Sequence, residues 1–196
     1  MTAPTTTTGI SDEVRDLANQ EYRYGFVTDL DTDVAPRGAA AGPDITSLYQ
    51  EVIIDHARRP RNFRELKGAS QRVEALNPLC GDQLTLYLQL TDGAIADIAF
   101  EGNGCAISQA SASLMTMAMK GLPHDDALAL FSRVHTMLTS GSGGDVPPTE
   151  VGKLAVLSGV WRYPARVKCA TLAWQALRSA LDSSAFEDAG HRDGTV

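Results

Sequence analysis

The chain has 196 residues, of which 43% are hydrophobic, and a formal net charge of −7; it can bury one real core with an appendage, and its acidic balance argues against nucleic-acid binding, whose footprint is basic. No apolar run reaches the ~18 residues needed to span a bilayer and no charged-then-apolar leader opens the chain, so no membrane role is expected. A reducing, cytoplasmic setting follows, in which three cysteines point to metal or redox chemistry rather than a disulfide framework.

Residues 1–43 lack the apolar content of a core and are expected to form a flexible arm and linker. Within them lie a helix-like stretch from Asp12 to Tyr22 and an aromatic cluster, Tyr22, Tyr24 and Phe26, of the kind that finds a partner surface. The domain proper is expected from residue 44 to 182. It opens with a helix from about Ile45 to Ala57, where Leu48, Val52, Ile53 and Ile54 make an amphipathic stripe. The basic cluster Arg58, Arg59, Arg61 and Arg64 follows, either a solvated surface or a docking patch.

Three strands come next: Gln71 to Ala75, Leu84 to Leu90 and Ala94 to Phe100. The second alternates cleanly, with Leu84, Leu86, Leu88 and Leu90 on one face; the third alternates through Ala96, Ile98 and Phe100. Asp92-Gly93 between them is a two-residue hairpin signal. Helical spacing then predicts Ile107 to Met119 (Ile107, Ala110, Leu114, Met117, Ala118), Asp125 to Leu138 (Leu128, Phe131, Val134, Leu138), and a short piece over Val151 to Val160. A Gly/Ser/Pro loop from Ser140 to Pro148 is expected to be mobile. The last helix, about Ala165 to Leu181, has Pro164 at its first turn and Trp174 in its core stripe; residues 183–196 read as a frayed tail. Strands followed by helices predict an α+β fold, a small antiparallel three-stranded sheet packed against several helices.

The chemistry gathers on Asn77-Pro78-Leu79-Cys80-Gly81-Asp82, where a thiol and a carboxylate stand two residues apart on a Pro/Gly turn. Cys105 begins a helix, whose free N–H groups favour a thiolate, and Cys169 lies near the start of another. Cys80, Asp82, Cys105 and Cys169 make the four-donor set that tetrahedral zinc accepts. Three thiolates and a carboxylate around Zn2+ leave about −2, which calls for nearby cations. Arg166 and Lys168 flank Cys169, and Arg166 shares its helix face. His56, His124, His135 and His191 read as structural or exposed.

These segments together resemble the U-type iron–sulfur assembly proteins. The likeness runs from about Leu48 to Leu181 through Leu48-Tyr49, Asp55-His56, Pro60-Arg61-Asn62, the Asn77 to Asp82 turn, Gly102-Asn103-Gly104-Cys105, and Arg166-Val167-Lys168-Cys169 to Trp174. It is closer to SufU than to IscU, because Lys168 stands where IscU-like scaffolds carry a His, and the segment from about 121 to 163 is similar to the SufU insertion. The resemblance implies a zinc site of Cys80, Asp82, Cys105 and Cys169, with Cys80 accepting persulfide sulfur from a SufS-type cysteine desulfurase. The alternative it implies is a scaffold carrying a transient iron–sulfur cluster on the same thiolates; a structural zinc module is a third reading. Val14 to Asp29 resembles the start of SufB, implying a tether to a SufB-containing assembly complex.

Overall fold

The computed structural model describes residues 45–141 and 146–191, with side-chain detail over 49–141 and 146–183. The expected arm over 1–43, the centre of the Ser140 to Pro148 loop and the last five residues lie outside the described residues.

Helix α1, Ile45–Arg58, precedes strands β1 (Gln71–Asn77), β2 (Asp82–Thr91) and β3 (Ala94–Asn103). These form an antiparallel sheet in the order β1-β2-β3. Helices α2 (Ala106–Met119) and α3 (His124–Thr139) follow, then the single turn α4 (Pro148–Val151), a run of 3₁₀ turns over Gly152–Arg162, and the long α5 (Pro164–His191). The α+β expectation holds. The last helix begins at Pro164, as expected of a residue with no N–H to leave unpaired, and continues well past Leu181.

The hairpin between β2 and β3 turns on Asp92 and Gly93, both at positive φ (51° and 74°), the backbone twist that suits a two-residue connection. The strands do not alternate in phase along their whole length. Leu88 pairs with Ile98 and Gln89 with Asp97, but Leu90 pairs with Ile95, so Ala96 is the extra residue of a bulge. Ile95, not Ala96, therefore joins Ile98 and Phe100 in the core.

One face of the sheet, with Leu84, Leu86, Leu88, Ile95, Ile98 and Phe100, packs on the helices in a single cluster with Met115, Val134, Leu157, Trp174 and Leu177. Each fully buried aliphatic there contributes about 1.5–3 kcal/mol. The other face is partly covered by the segment after α1. Phe100 N donates to Asn62 O at 3.0 Å and Arg64 N to Phe100 O at 2.9 Å, and Leu66 then closes over Tyr87 and Ala99. Arg61 and Arg64 of the basic cluster are tied to acids, Asp55 at 2.5 Å and Asp97 at 2.7 Å.

Two helices differ from their predicted stripes. On α1, Val52 and Ile54 are exposed while Tyr49 and Ile53 lean on the core and His56 is buried. On α2, Met117 points outward, and Ser108, Ser111, Ser113 and Thr116 are buried beside Leu114, Met115 and Met119. That helix is enclosed nearly all round. Its small hydroxyl residues let neighbours come close and give them hydrogen bonds: Ser113 Oγ meets His56 Nδ1 at 2.8 Å and accepts from Arg61 N at 2.8 Å.

Candidate metal centre

Four residues, Pro78-Leu79-Cys80-Gly81, connect β1 to β2 beyond the Asn77–Asp82 pair. Gly81 takes φ 74°, which glycine meets without a Cβ clash. Asn77 gathers the turn. Its carbonyl accepts from Cys80 N (3.3 Å) and Gly81 N (2.9 Å), and its Oδ1 accepts from Leu79 N at 3.2 Å, an Asx turn. The tip is thereby held outward with Cys80 exposed, while Asp82, back in the sheet, is 3% exposed.

The end of β3 comes close against this hairpin. A Cβ on Gly102 would stand 2.2 Å from Gln83 O, and one on Gly104 would stand 3.2 Å from the Asp82 carboxylate carbon. The missing side chains let Cys105, at the N-cap of α2, donate its backbone N–H to Asp82 Oδ1 at 2.9 Å. Cys169 is buried in the opening turns of α5, where Ser111 on α2 donates to Ala170 O at 2.7 Å and accepts from Trp174 Nε1 at 3.0 Å. The helices bearing Cys105 and Cys169 are thus joined by a buried pair of hydrogen bonds.

The sulfurs of Cys80 and Cys169 lie 3.5 Å apart, and both cysteines are unbridged. Single donor atoms of Cys80, Asp82 and Cys169 all fall within 4.8 Å of one another. Cys105 stands beside this trio, joined to Asp82 through its backbone. The guanidinium of Arg166 is held more firmly protonated, first by the Cys169 thiol and then by the charge of Cys105. Lys168 is exposed. No histidine joins such a donor group among the described residues.

This arrangement fits a divalent metal. Two thiolates on tetrahedral zinc, each about 2.3 Å from it, would lie about 3.8 Å apart, near the observed separation. Asp82 Oδ2 is buried with no hydrogen-bond partner, an arrangement that costs free energy unless a cation meets it. Burial would raise the Asp82 pKa, but the Cys105 N–H and the thiols of Cys169, Cys80 and Cys105 outweigh it and hold the carboxyl below its ordinary value. Burial, with Cys80 and Asp82 next to it, pushes the Cys169 thiol far above its ordinary value; a cation supplies what the protein lacks to ionise it.

Sequence reading singled out Cys80, Asp82 and Cys169, which the fold brings together, and Cys105 and Arg166, which stand beside them. It missed Asn77, whose Nδ2 lies 4.0 Å from Cys169 Sγ; the Asn-Pro pair before the turn was the available signal.

Residues 48–183 match the NifU-like N terminal domain. The chain is 42% identical over 142 residues to the iron–sulfur cluster assembly scaffold protein IscU of Streptococcus pyogenes serotype M1, covering 72% of this chain and 87% of that protein. It is 41% identical over 138 residues to the zinc-dependent sulfurtransferase SufU of Bacillus subtilis (strain 168), covering 70% and 92%. A crystal structure of FiSufU from Fervidobacterium islandicum AW-1 superposes with TM-score 0.63 at 33% identity, covering 69% of this chain and 97% of that one.

Proposed function

Because the chain belongs to the NifU-like N-terminal domain family, and relatives bearing IscU and SufU names serve iron–sulfur cluster assembly or zinc-dependent sulfur transfer, we propose that it is a zinc-dependent sulfur-transfer protein of iron–sulfur cluster assembly. It accepts persulfide sulfur from a SufS-type cysteine desulfurase in a reducing cytoplasm. The observation that carries this reading is the inequality of two adjacent sulfurs: Cys80 is exposed on a turn, and Cys169, 3.5 Å away, is 1% exposed.

Cys80, Asp82, Cys105 and Cys169 would hold the zinc, whose charge would keep the thiols ionised near neutral pH. Of the four, Cys80 turns outward without opening any packed surface. Its thiolate attacks the terminal sulfur of the donor's persulfide. A sulfur–sulfur bond forms at Cys80, the donor's own sulfur–sulfur bond breaks, and the donor cysteine leaves as a thiolate. The terminal sulfur keeps its proton, so charge and atoms balance. Arg166 stays over Cys169 and Cys105 and offsets the negative charge left in the site.

The test is cysteine desulfurase turnover with and without the protein, together with its metal content, for wild type and Cys80→Ala. Stimulation by a protein carrying one zinc, lost in the variant while the fold persists, supports the reading. Absence of stimulation by the zinc-loaded protein sinks it. The name of the Streptococcus relative favours a scaffold as second reading, for which the mark is visible absorption that survives gel filtration after anaerobic reconstitution, with transfer to an apo-acceptor. Lys168, in place of the His of IscU-like scaffolds, favours the first. We further assign the arm, through Val14 to Asp29, to tethering the carrier to a SufB-containing complex, raising its effective concentration there.

A further inference from the structure

We infer that Asn77 is a positioning residue that sorts the two neighbouring sulfurs, anchoring Cys169 as the resident ligand and leaving Cys80 as the one free to depart. This rests on the zinc reading above. Asn77 closes β1, is 6% exposed, and is the residue from which the Cys80 turn hangs. Its amide has one allowed orientation: Leu79 N–H donates to the atom assigned as Oδ1 at 3.2 Å, and the flipped amide would set two donors against each other. The NH2 end is therefore the one facing Cys169 Sγ, at 4.0 Å.

Cys80 meets the opposite end of the same residue. Its Sγ lies 4.0 Å from the Asn77 backbone carbonyl oxygen, an acceptor that a thiol can donate to and a thiolate can only face lone pair to lone pair. Asn77 thus offers a donor to one sulfur and an acceptor to the other; Cys169 Sγ also faces a carbonyl, Ala165 O of its own helix at 3.7 Å, so the amide donor is what sets the two sulfurs apart. An N–H donor steadies a metal-bound thiolate and fixes its direction; a carbonyl does neither. The exposure of the two cysteines runs the same way, with Cys169 enclosed and Cys80 open to solvent.

Two variants separate the donor from the turn. Asn77→Ser keeps an acceptor for Leu79 N–H as a Ser turn but cannot reach Cys169; Asn77→Asp keeps size and acceptor and removes the donor. Each would be loaded with cobalt(II), and the thiolate-to-cobalt charge-transfer band, the rate of metal release to a chelator, and the relative alkylation of Cys80 and Cys169 would be measured. In both variants the band should move to lower energy, release should quicken about tenfold, in line with the loss of an outer partner, and the preference for alkylating Cys80 over Cys169 should shrink. Band, release and alkylation unchanged in both would overturn the role of Asn77, as would loss of the metal-free fold in both, which would make it a folding residue alone. A wild-type protein that takes up no cobalt overturns the zinc reading itself.

Discussion

The backbone N–H of Cys105 donates to Oδ1 of Asp82 at 2.9 Å, while Oδ2 of the same carboxylate is buried without a partner. One oxygen of Asp82 therefore belongs to the fold and the other is spare. Asp82→Asn keeps an acceptor for Cys105 N–H and removes the charge. Its metal-free unfolding should stay within about 1 kcal/mol of wild type, the net worth of one hydrogen bond. Its zinc affinity should fall beyond about 100-fold, the upper end of what an outer partner contributes. Urea titration and chelator competition report the two effects separately; equal affinity would remove Asp82 from the ligand set.

Ser111 is fully buried and serves Ala170 O and Trp174 Nε1 at once. Ser111→Ala leaves the indole N–H without a partner, at a cost of about 1–3 kcal/mol, while Ala170 O keeps the bond of its own helix. Because these bonds join the helices of Cys105 and Cys169, the same change should weaken zinc binding. Trp174→Phe in the Ser111→Ala background should cost less than it does alone, since the indole N–H has already lost its partner. Additive losses in a double-mutant cycle would show that the link is not energetic.

His56 supplies a pH dependence. Burial first, then the charge of Arg61, lower its pKa from the ordinary 6.5, against a smaller opposing pull from Asp55. Between the folded value and 6.5 the unfolded chain binds more protons, so stability is full above about pH 6.5 and declines as pH falls below it. The protonated ring must also donate to Ser113 Oγ, which already accepts from Arg61 N. Urea midpoints for the metal-free protein between pH 5 and 8 should drop on the acid side, and His56→Gln should flatten that slope. An unchanged slope would place the proton elsewhere.

For the arm, deleting residues 1–42 should leave desulfurase stimulation in place and weaken association with SufB-containing complexes. Pull-down at matched concentrations measures this; unchanged association would end the tether proposal.

Cys80, Asp82, Cys105, Cys169 and Arg166 stood out because the turn chemistry around Cys80 and the helix starts at Cys105 and Cys169 are local patterns. Trp174 was legible too, since its stripe repeats at helical spacing. What sequence could not reveal depends on register and on neighbours far along the chain. The bulge at Ala96 exchanges one side chain for the next and leaves no local mark. The burial of α2 on nearly every side is hidden because Ser and Thr read as solvent-facing until helices bring them partners. The amide of Asn77 has meaning only once Cys169, 92 residues later, lies beside it.

Cys80 and Cys169 meet across 89 residues of chain, which orders events during synthesis. At translation speeds of roughly 5–20 residues per second, the hairpin and the start of α2 exist for several seconds before their last thiol is made. Until then Cys80, Asp82 and Cys105 stand without the helix that buries Cys169, open to whatever ion or oxidant passes. The close grouping of Cys80, Asp82 and Cys169 exists only in the finished chain, after α5 closes over the sheet.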